Sequence, residues 1–486
     1  MSPLPFAVAL EPVTAIVAIP LASAALLALL PGYWLASRLN VLAGLATFLC
    51  ALSLLAQRPR PTDLIFIDDL NVVFVVLGTF VGFTTSAFSA SYIAHELKIG
   101  RLTPRYLRFY HAMYQTLMFA MNLALVANNI GLMWVAVELA TLTTVAMVGI
   151  YRTHEALEAA WKYFILGSVG IALALFGTIL VYMASRPVVG EGHDAMVWTT
   201  LIAKAAGFSP ELLNVAFIFL MLGYGTKVGL APLHAWLPDA HAEGPTPISA
   251  VLSGLLLNVA LYAVLRFKML LAANHTAIAP GPLMVTMGLV SVVFAAFMLY
   301  RRRDIKRFFA YSSVEHMGII TFAFGMGGGL ANFAGLLHMT MHSLTKSAIF
   351  FAVGHIAQTK GTQRLAEIRG LTESRPALGW GLVLGVVAIA GLPPLGIFMS
   401  EFLIVSSTFA RAPLLAIVLV LGLLVALGAL MLRLSEVAFG PPTGATEPIT
   451  ASFVPLYTHL ALVLAAGIYL PGSLVAWFRA VAQLLG

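Results

Sequence analysis

A lysine stands inside one of the most apolar stretches of the chain, Phe217-Ile-Phe-Leu-Met-Leu-Gly-Tyr-Gly-Thr-Lys227-Val-Gly-Leu-Ala-Pro232-Leu-His234. An ammonium at the centre of a membrane helix costs at least ~2.5–3.5 kcal/mol on insertion scales. Pro232 follows five residues later, where it must interrupt the helix and free backbone carbonyls. Broken helices that carry a charge at this depth line cavities and ion paths rather than face lipid. Transport or proton relay is the chemistry that such a residue suits.

Further titratable residues need the same explanation. Glu138 lies within Leu132-Met-Trp-Val-Ala-Val-Glu-Leu-Ala-Thr-Leu-Thr. A carboxylate there requires a cationic partner or water, and Lys227 is the natural candidate. The pair is either a static bridge that fixes packing or one whose opening gates a proton. His338, His342 and Lys346 recur every four residues and should stack along one helix face. That spacing fits a proton wire, because histidine titrates near neutral pH. A zinc site would need a third ligand and is not expected. Glu315 and His316 are adjacent, so they point about 100° apart, and one of them should face this wire. Lys306 and Arg307, just before them, read as membrane-boundary residues.

Glu401 follows Pro393-Pro394 and reads as a terminal acceptor near an exit, or as a merely interfacial acid. Glu158 and Lys162 are four apart, a packing bridge or a proton-uptake element. His234, Asp239, His241 and Glu243 crowd the segment after the Lys227 helix, as a cavity mouth or a solvated loop.

The composition dictates what positions these groups. Of 486 residues, 60% are hydrophobic and 10% charged, with a mean hydropathy of +0.95. Soluble domains carry roughly 25% charged residues, so the chain is an integral membrane protein. The net charge of +7 sits in short loops and points to topology rather than to nucleic acid. A single cysteine, Cys50, excludes an internal disulfide and a cysteine-ligated cluster. Neither Gly223-Tyr-Gly-Thr-Lys227 nor Gly325-Met-Gly-Gly-Gly329 has the context of a phosphate-binding loop. No catalytic centre is expected in this chain. The first apolar run, which lacks a cleavage site, is expected to be retained.

About fourteen spans are expected, near 6–30, 33–56, 65–93, 111–128, 130–150, 156–184, 212–231, 246–270, 281–300, 305–325, 328–357, 377–409, 412–438 and 452–478. The fold class is therefore an all-α polytopic bundle. A tight link at Asn128-Asn-Ile-Gly131 and a longer loop from Arg186 to Pro210 are expected between spans. Basic residues gather in the loops 94–110, 301–307 and 358–376, which should lie in the cytoplasm with both termini outside it. Arg266 and Lys268 run against that pattern. Two helices carry proline breaks, at Pro232 and at Gly391-Leu-Pro-Pro-Leu-Gly396, and read as equivalent helices of two repeats.

These residues resemble the antiporter-like membrane subunits shared by respiratory complex I, membrane-bound hydrogenases and multisubunit cation/proton antiporters. The resemblance rests on Trp134-Val-Ala-Val-Glu138, Gly225 through His241, Pro245 through Gly254, Asp304 through Ser312, His338 through Lys346 and Gly391-Leu-Pro. It covers about 65–440. Tyr311-Ser-Ser-Val-Glu-His-Met-Gly318 and Lys162 through Gly170 look most like the hydrogenase-4 component F group.

The resemblance implies two inverted five-helix repeats, 111–270 and 281–438, between N-terminal helices (1–110) and a C-terminal helix (439–486). It implies Glu138 and Lys227 as the gating pair and Glu401 as the distal acceptor. It also implies a prokaryotic inner-membrane location and a hydrophilic hydrogenase or dehydrogenase arm as partner. The [NiFe] centre and iron–sulfur clusters would belong to that arm, and this chain would hold no cofactor. One departure is Asn258, where such subunits commonly carry Lys or His; an amide does not titrate. Proton translocation by a redox-driven assembly is the leading expectation. A gradient-driven Na⁺/H⁺ antiporter subunit and a non-pumping structural subunit are the alternatives.

Overall fold

The computed structural model describes residues 11–444, 449 and 452–486, so the first five positions of the expected 6–30 span lie outside them. No strand occurs among the described residues, only isolated bridges such as Ile65–Ala127. The helices are α1 Pro12–Leu29, α2 Tyr33–Ser53, α3 Asp69–Lys98, α4 Pro104–Val126, α5 Ile130–Val148, α6 His154–Val189 and α7 Trp198–Lys204. Then follow α8 Pro210–Val228, α9 Leu237–Glu243, α10 Thr246–Val251, α11 Leu257–Ala272, α12 Gly281–Tyr300, α13 Ile305–Met326 and α14 Gly329–Lys360. The chain closes with α15 Leu371–Ser374, α16 Pro376–Ile389, α17 Gly396–Arg411, α18 Pro413–Ala438, α19 Val454–Ile468 and α20 Gly472–Leu484.

Local chemistry explains where these helices start. Asp68 and Asn71 exchange side-chain and backbone hydrogen bonds in a capping box at the head of α3. Asn129 accepts from Gly131 N and Leu132 N, which allows α5 to begin with only three residues between it and α4. Ser209 caps α8 with Pro210 as its first residue. Asp304 caps α13 by accepting from Arg307 N. The expected long loop between Arg186 and Pro210 is largely helical, since α6 runs on to Val189 and α7 fills 198–204.

Nine helical spans among the described residues are long and apolar enough to cross a bilayer, and the bent pair α19–α20 makes a tenth only if its two halves count as one span. The others that the expected fourteen require are more polar, as α4, α13 and α14 are, or are halves of a broken helix, as α16 and α17 are. Length and apolarity alone therefore do not fix the count. The expected span 452–478 is not straight: α19 and α20 meet at 84°. Pro471 and Gly472 sit at that joint, a pair that favours a turn over a continuing helix.

Three basic residues take places that loop-charge counting does not foresee. Arg266 is buried and forms a bidentate pair with Asp68, at 2.6 and 2.8 Å. Lys268 donates to the Leu485 carbonyl at 2.8 Å, fastening the end of α20 to α11. Neither residue is a solvated loop charge. Lys306 is buried rather than solvated. Its ammonium donates to Ala242 O at 3.2 Å and Gly244 O at 2.7 Å, where α9 leaves carbonyls without helical partners.

Candidate functional site

Lys227 occupies the last turn of α8, which Gly229 closes in a left-handed conformation at φ 80°. Its ammonium crosses to α5, donating to Thr141 Oγ1 at 2.8 Å and to Glu138 Oε2 at 3.5 Å. Glu138 and Thr141 are three residues apart and share a helix face. Gly167 of α6 leaves the room, since a Cβ there would come within 2.9 Å of Lys227 Nζ. Lys227 is 2% exposed and Glu138 18%, so the acid lies nearer the surface of the bundle than the base.

The chain then breaks between Val228 and Leu237. Freed backbone groups find partners there, as a membrane interior demands. Ala231 N donates to Ser291 Oγ at 2.9 Å. Trp236 stacks on Tyr163 with centroids 4.2 Å apart and donates from Nε1 to Thr226 O at 2.8 Å.

A second polar cluster joins α13, α14 and α17. His316 Nδ1 and His338 Nε2 are 2.9 Å apart, and His338 Nδ1 is 2.9 Å from Ser400 Oγ. The His342 ring stacks on His316 at 5.5 Å. Lys346 lies one turn further along α14 and donates to Phe309 O at 2.5 Å. The adjacent pair separates: His316 faces the histidines, whereas Glu315 lines a cavity of about 200 Å³ with Gly391, Leu392 and Glu401.

Glu401 is not remote from the histidines. Ligand-type atoms of His316, His338 and Glu401 all lie within 4.8 Å of one another. That trio could hold a metal only if His338 gave up an existing hydrogen bond, because both of its ring nitrogens are engaged. A hydrogen-bonded chain fits the geometry better than a ligand set. At the second helix break Gly391 has φ 65°, and a Cβ there would overlap the Glu401 carboxylate.

Between the two clusters, α10 passes into α11 through a π-helical turn, Leu252–Leu256. Such turns often mark functional positions. Ser253 meets Ser313 at 2.7 Å across to α13. Asn258 donates to Gly254 O at 3.0 Å and to Ser343 Oγ at 2.6 Å, reaching the helix that carries His342.

The remaining sequence candidates divide between an open mouth and the interior. Lys162 pairs with Glu158 at 2.6 Å and Asp239 at 3.2 Å, and Arg307 pairs with Asp239 at 3.2 Å and Glu243 at 3.1 Å. These residues surround a pocket of about 310 Å³. His241 is instead fully buried, its ring stacked on Phe350 at 4.8 Å. His234 packs edge-on against Phe294 at the first break.

Two residues that the titratable-group search passes over belong to these clusters. Thr141 and Ser400 are hydroxyls in apolar helices and carry no charge to attract notice. Their signal was position: Thr141 is three residues from Glu138, and Ser400 precedes Glu401.

The family model described as "NADH:quinone oxidoreductase/Mrp antiporter, TM" matches residues 127–426, which include both clusters and both breaks. A hydrogenase-4 component F homolog of Methylacidiphilum infernorum is 62% identical over 97% of this chain and 99% of its own length. Among solved structures, a chain of an archaeal membrane-bound sulfane sulfur reductase shares the fold at a TM-score of 0.86. It is 22% identical, with 98% of each chain covered. A chain of respiratory complex I from Thermus thermophilus does so at 0.80, with 22% identity and 98% and 100% covered. The protein is a multi-pass membrane protein and belongs to the transmembrane family of NADH:quinone oxidoreductase and Mrp antiporter subunits.

Proposed function

We propose that this chain is a proton-translocating membrane subunit of a complex I-like assembly of the membrane-bound [NiFe] hydrogenase kind. The observation that carries the reading is the buried Lys227–Glu138 pair at the end of a broken helix, together with the hydrogen-bonded chain of His316, His338 and Ser400. The 62% relative, by its printed name, points to the hydrogenase branch. Redox centres, a [NiFe] site and iron–sulfur clusters among them, belong to partner subunits in this reading. The other partners are further membrane-arm subunits.

In the proposed cycle Lys227 rests as an ammonium held by Thr141 and Glu138. Movement of Glu138 away from Lys227 removes the countercharge and favours loss of the lysine's proton into the bundle. The hydroxyl pairs at Ser253–Ser313 and the Asn258–Ser343 contact carry polarity from the first cluster toward α14. Lys346, His342, His338 and His316 then lead to Glu401. Asn258 contributes hydrogen bonds but no titration, so internal water must complete the middle of the path. The reading places the chain in a prokaryotic inner membrane, the Arg301–Arg303 side in the cytoplasm and both termini on the far side. The repeats are taken as 111–270 and 281–438.

Lys227→Ala tests the reading. The assembly should form with its partner subunits, while proton uptake into inverted vesicles driven by its own electron donor is abolished. Unchanged uptake overturns translocation through this chain. A second reading, a non-pumping structural subunit, is favoured by Asn258 alone; it predicts that Lys227→Ala affects assembly and not the proton yield per electron.

A further inference from the structure

Two surface features outside the polar path meet at one residue. The first is a pocket of about 930 Å³ at the arginine-rich end of the bundle, walled by Arg301, Arg302, Arg303, Arg307, Arg364, Arg369 and Arg433 with three carboxylates. The second is an apolar groove of about 720 Å³ between α12 and α18, lined by Val290, Val293, Phe294, Phe297 and Val418 among others. Arg301 lines both.

The carboxylates of the pocket are already occupied. Asp304 caps α13, and Glu436 pairs with Arg433 at 2.7 Å. Glu367 takes the Thr362 hydroxyl at 2.6 Å and Arg364 at 3.3 Å, contacts that hold its carboxyl below the usual range. Arg301, Arg303 and Arg369 make no side-chain hydrogen bond or ion pair among the described residues. Three exposed guanidinium groups thus line a recess whose carboxylates are engaged with other residues, and guanidinium matches phosphate oxygens bidentately.

The groove supplies the other half of a ligand. Phe297 is 61% and Val290 47% exposed, so this apolar wall faces outward from the bundle. From Arg301 back to Val290 is eleven residues of helix, or about 16 Å. One leaflet of hydrocarbon is about 15 Å deep, half of a ~30 Å core. A charged recess at the interface, opening onto an apolar channel one leaflet deep, has the polarity pattern of an anionic phospholipid.

We propose that the Arg301–Arg303–Arg369 recess and the α12–α18 groove together bind one anionic phospholipid. Its phosphate sits among the three arginines and an acyl tail lies along Val293, Phe294 and Phe297. The site requires only that the chain spans a membrane, and stands whether or not the chain translocates protons.

Native mass spectrometry of the purified chain with its co-purifying subunits provides the test, after delipidation and titration with phosphatidylglycerol or phosphatidylcholine. One phosphatidylglycerol should be held per chain in preference to phosphatidylcholine. The triple variant R301Q/R303Q/R369Q should bind it about a hundredfold more weakly, at roughly one increment of surface attraction per arginine. Val293→Trp fills the groove without altering charge and should also weaken binding, which keeps the test decisive if the triple variant fails to assemble. Equal binding of phosphatidylcholine overturns the proposal. So does phosphate-ion binding that Val293→Trp leaves untouched, which would mark a soluble anion site. An acidic partner polypeptide cross-linked at position 303 with no lipid retained also overturns it.

Discussion

Lys227 lies closer to the neutral hydroxyl of Thr141, at 2.8 Å, than to the Glu138 carboxylate, at 3.5 Å. The ammonium is therefore anchored by a group that stays in place when the acid moves. Thr141→Val removes that anchor and a charge-assisted hydrogen bond worth roughly 1.5–3 kcal/mol. Proton uptake in inverted vesicles should slow by roughly tenfold or more, while Thr143→Val, one turn-face away on the same helix, leaves it unchanged. Equal effects of the two variants would remove Thr141 from the mechanism.

Gly391 is the one residue at the second break whose lack of a side chain protects a candidate acid. Gly391→Ala should push the Glu401 carboxylate from its place and reproduce the transport defect of Glu401→Gln. Measuring both rates side by side checks this, with Gly329→Ala, an uncrowded position, as the control. A Gly391→Ala protein that assembles and transports normally would show that the position of Glu401 is not critical.

The Ser400 hydroxyl fixes one nitrogen of His338 and thereby the nitrogen presented to His316. Ser400→Ala should release the ring, and ¹⁵N spectra of labelled histidine should show His338 losing a single tautomer. Transport should fall with it, and Ser400→Thr, which keeps the hydroxyl, should restore both.

Two ion pairs near the start of α3 invite a direct comparison. Arg266–Asp68 is buried, whereas Arg58–Asp69 is solvated, its side chains 31% and 43% exposed. Arg266→Met leaves Asp68 buried without its countercharge and should destabilise the protein by about 3–5 kcal/mol. Arg58→Met should cost about 0–1 kcal/mol. Thermal unfolding in detergent resolves the two, and similar shifts would mean that water reaches Asp68 when Arg266 is removed.

Much of this architecture was legible because a membrane interior punishes charge and proline so heavily. Lys227, Glu138, Pro232 and the Pro393-Pro394 break announced themselves as exceptions to an apolar rule, and the all-α fold followed from composition. The misreadings share a different cause. Lys306, Arg266 and Lys268 were counted as loop charges because their partners are carbonyls or a carboxylate brought close only by folding. Ala242 is 64 residues from Lys306, and Asp68 is 198 from Arg266. The bend between α19 and α20 did have a local signal in Pro471-Gly472, which the hydropathy of the surrounding residues outweighed.

The Lys306 contact also has a mechanical meaning. Its ammonium belongs to the first turn of α13, and the two carbonyls it grips terminate α9, the short helix beyond the Lys227 break. A tilt of α9 would therefore pull on the base of α13, the helix that carries His316. Together with the Arg307 pairs to Asp239 and Glu243, this grip ties the short helix after the first break to the helix that carries His316.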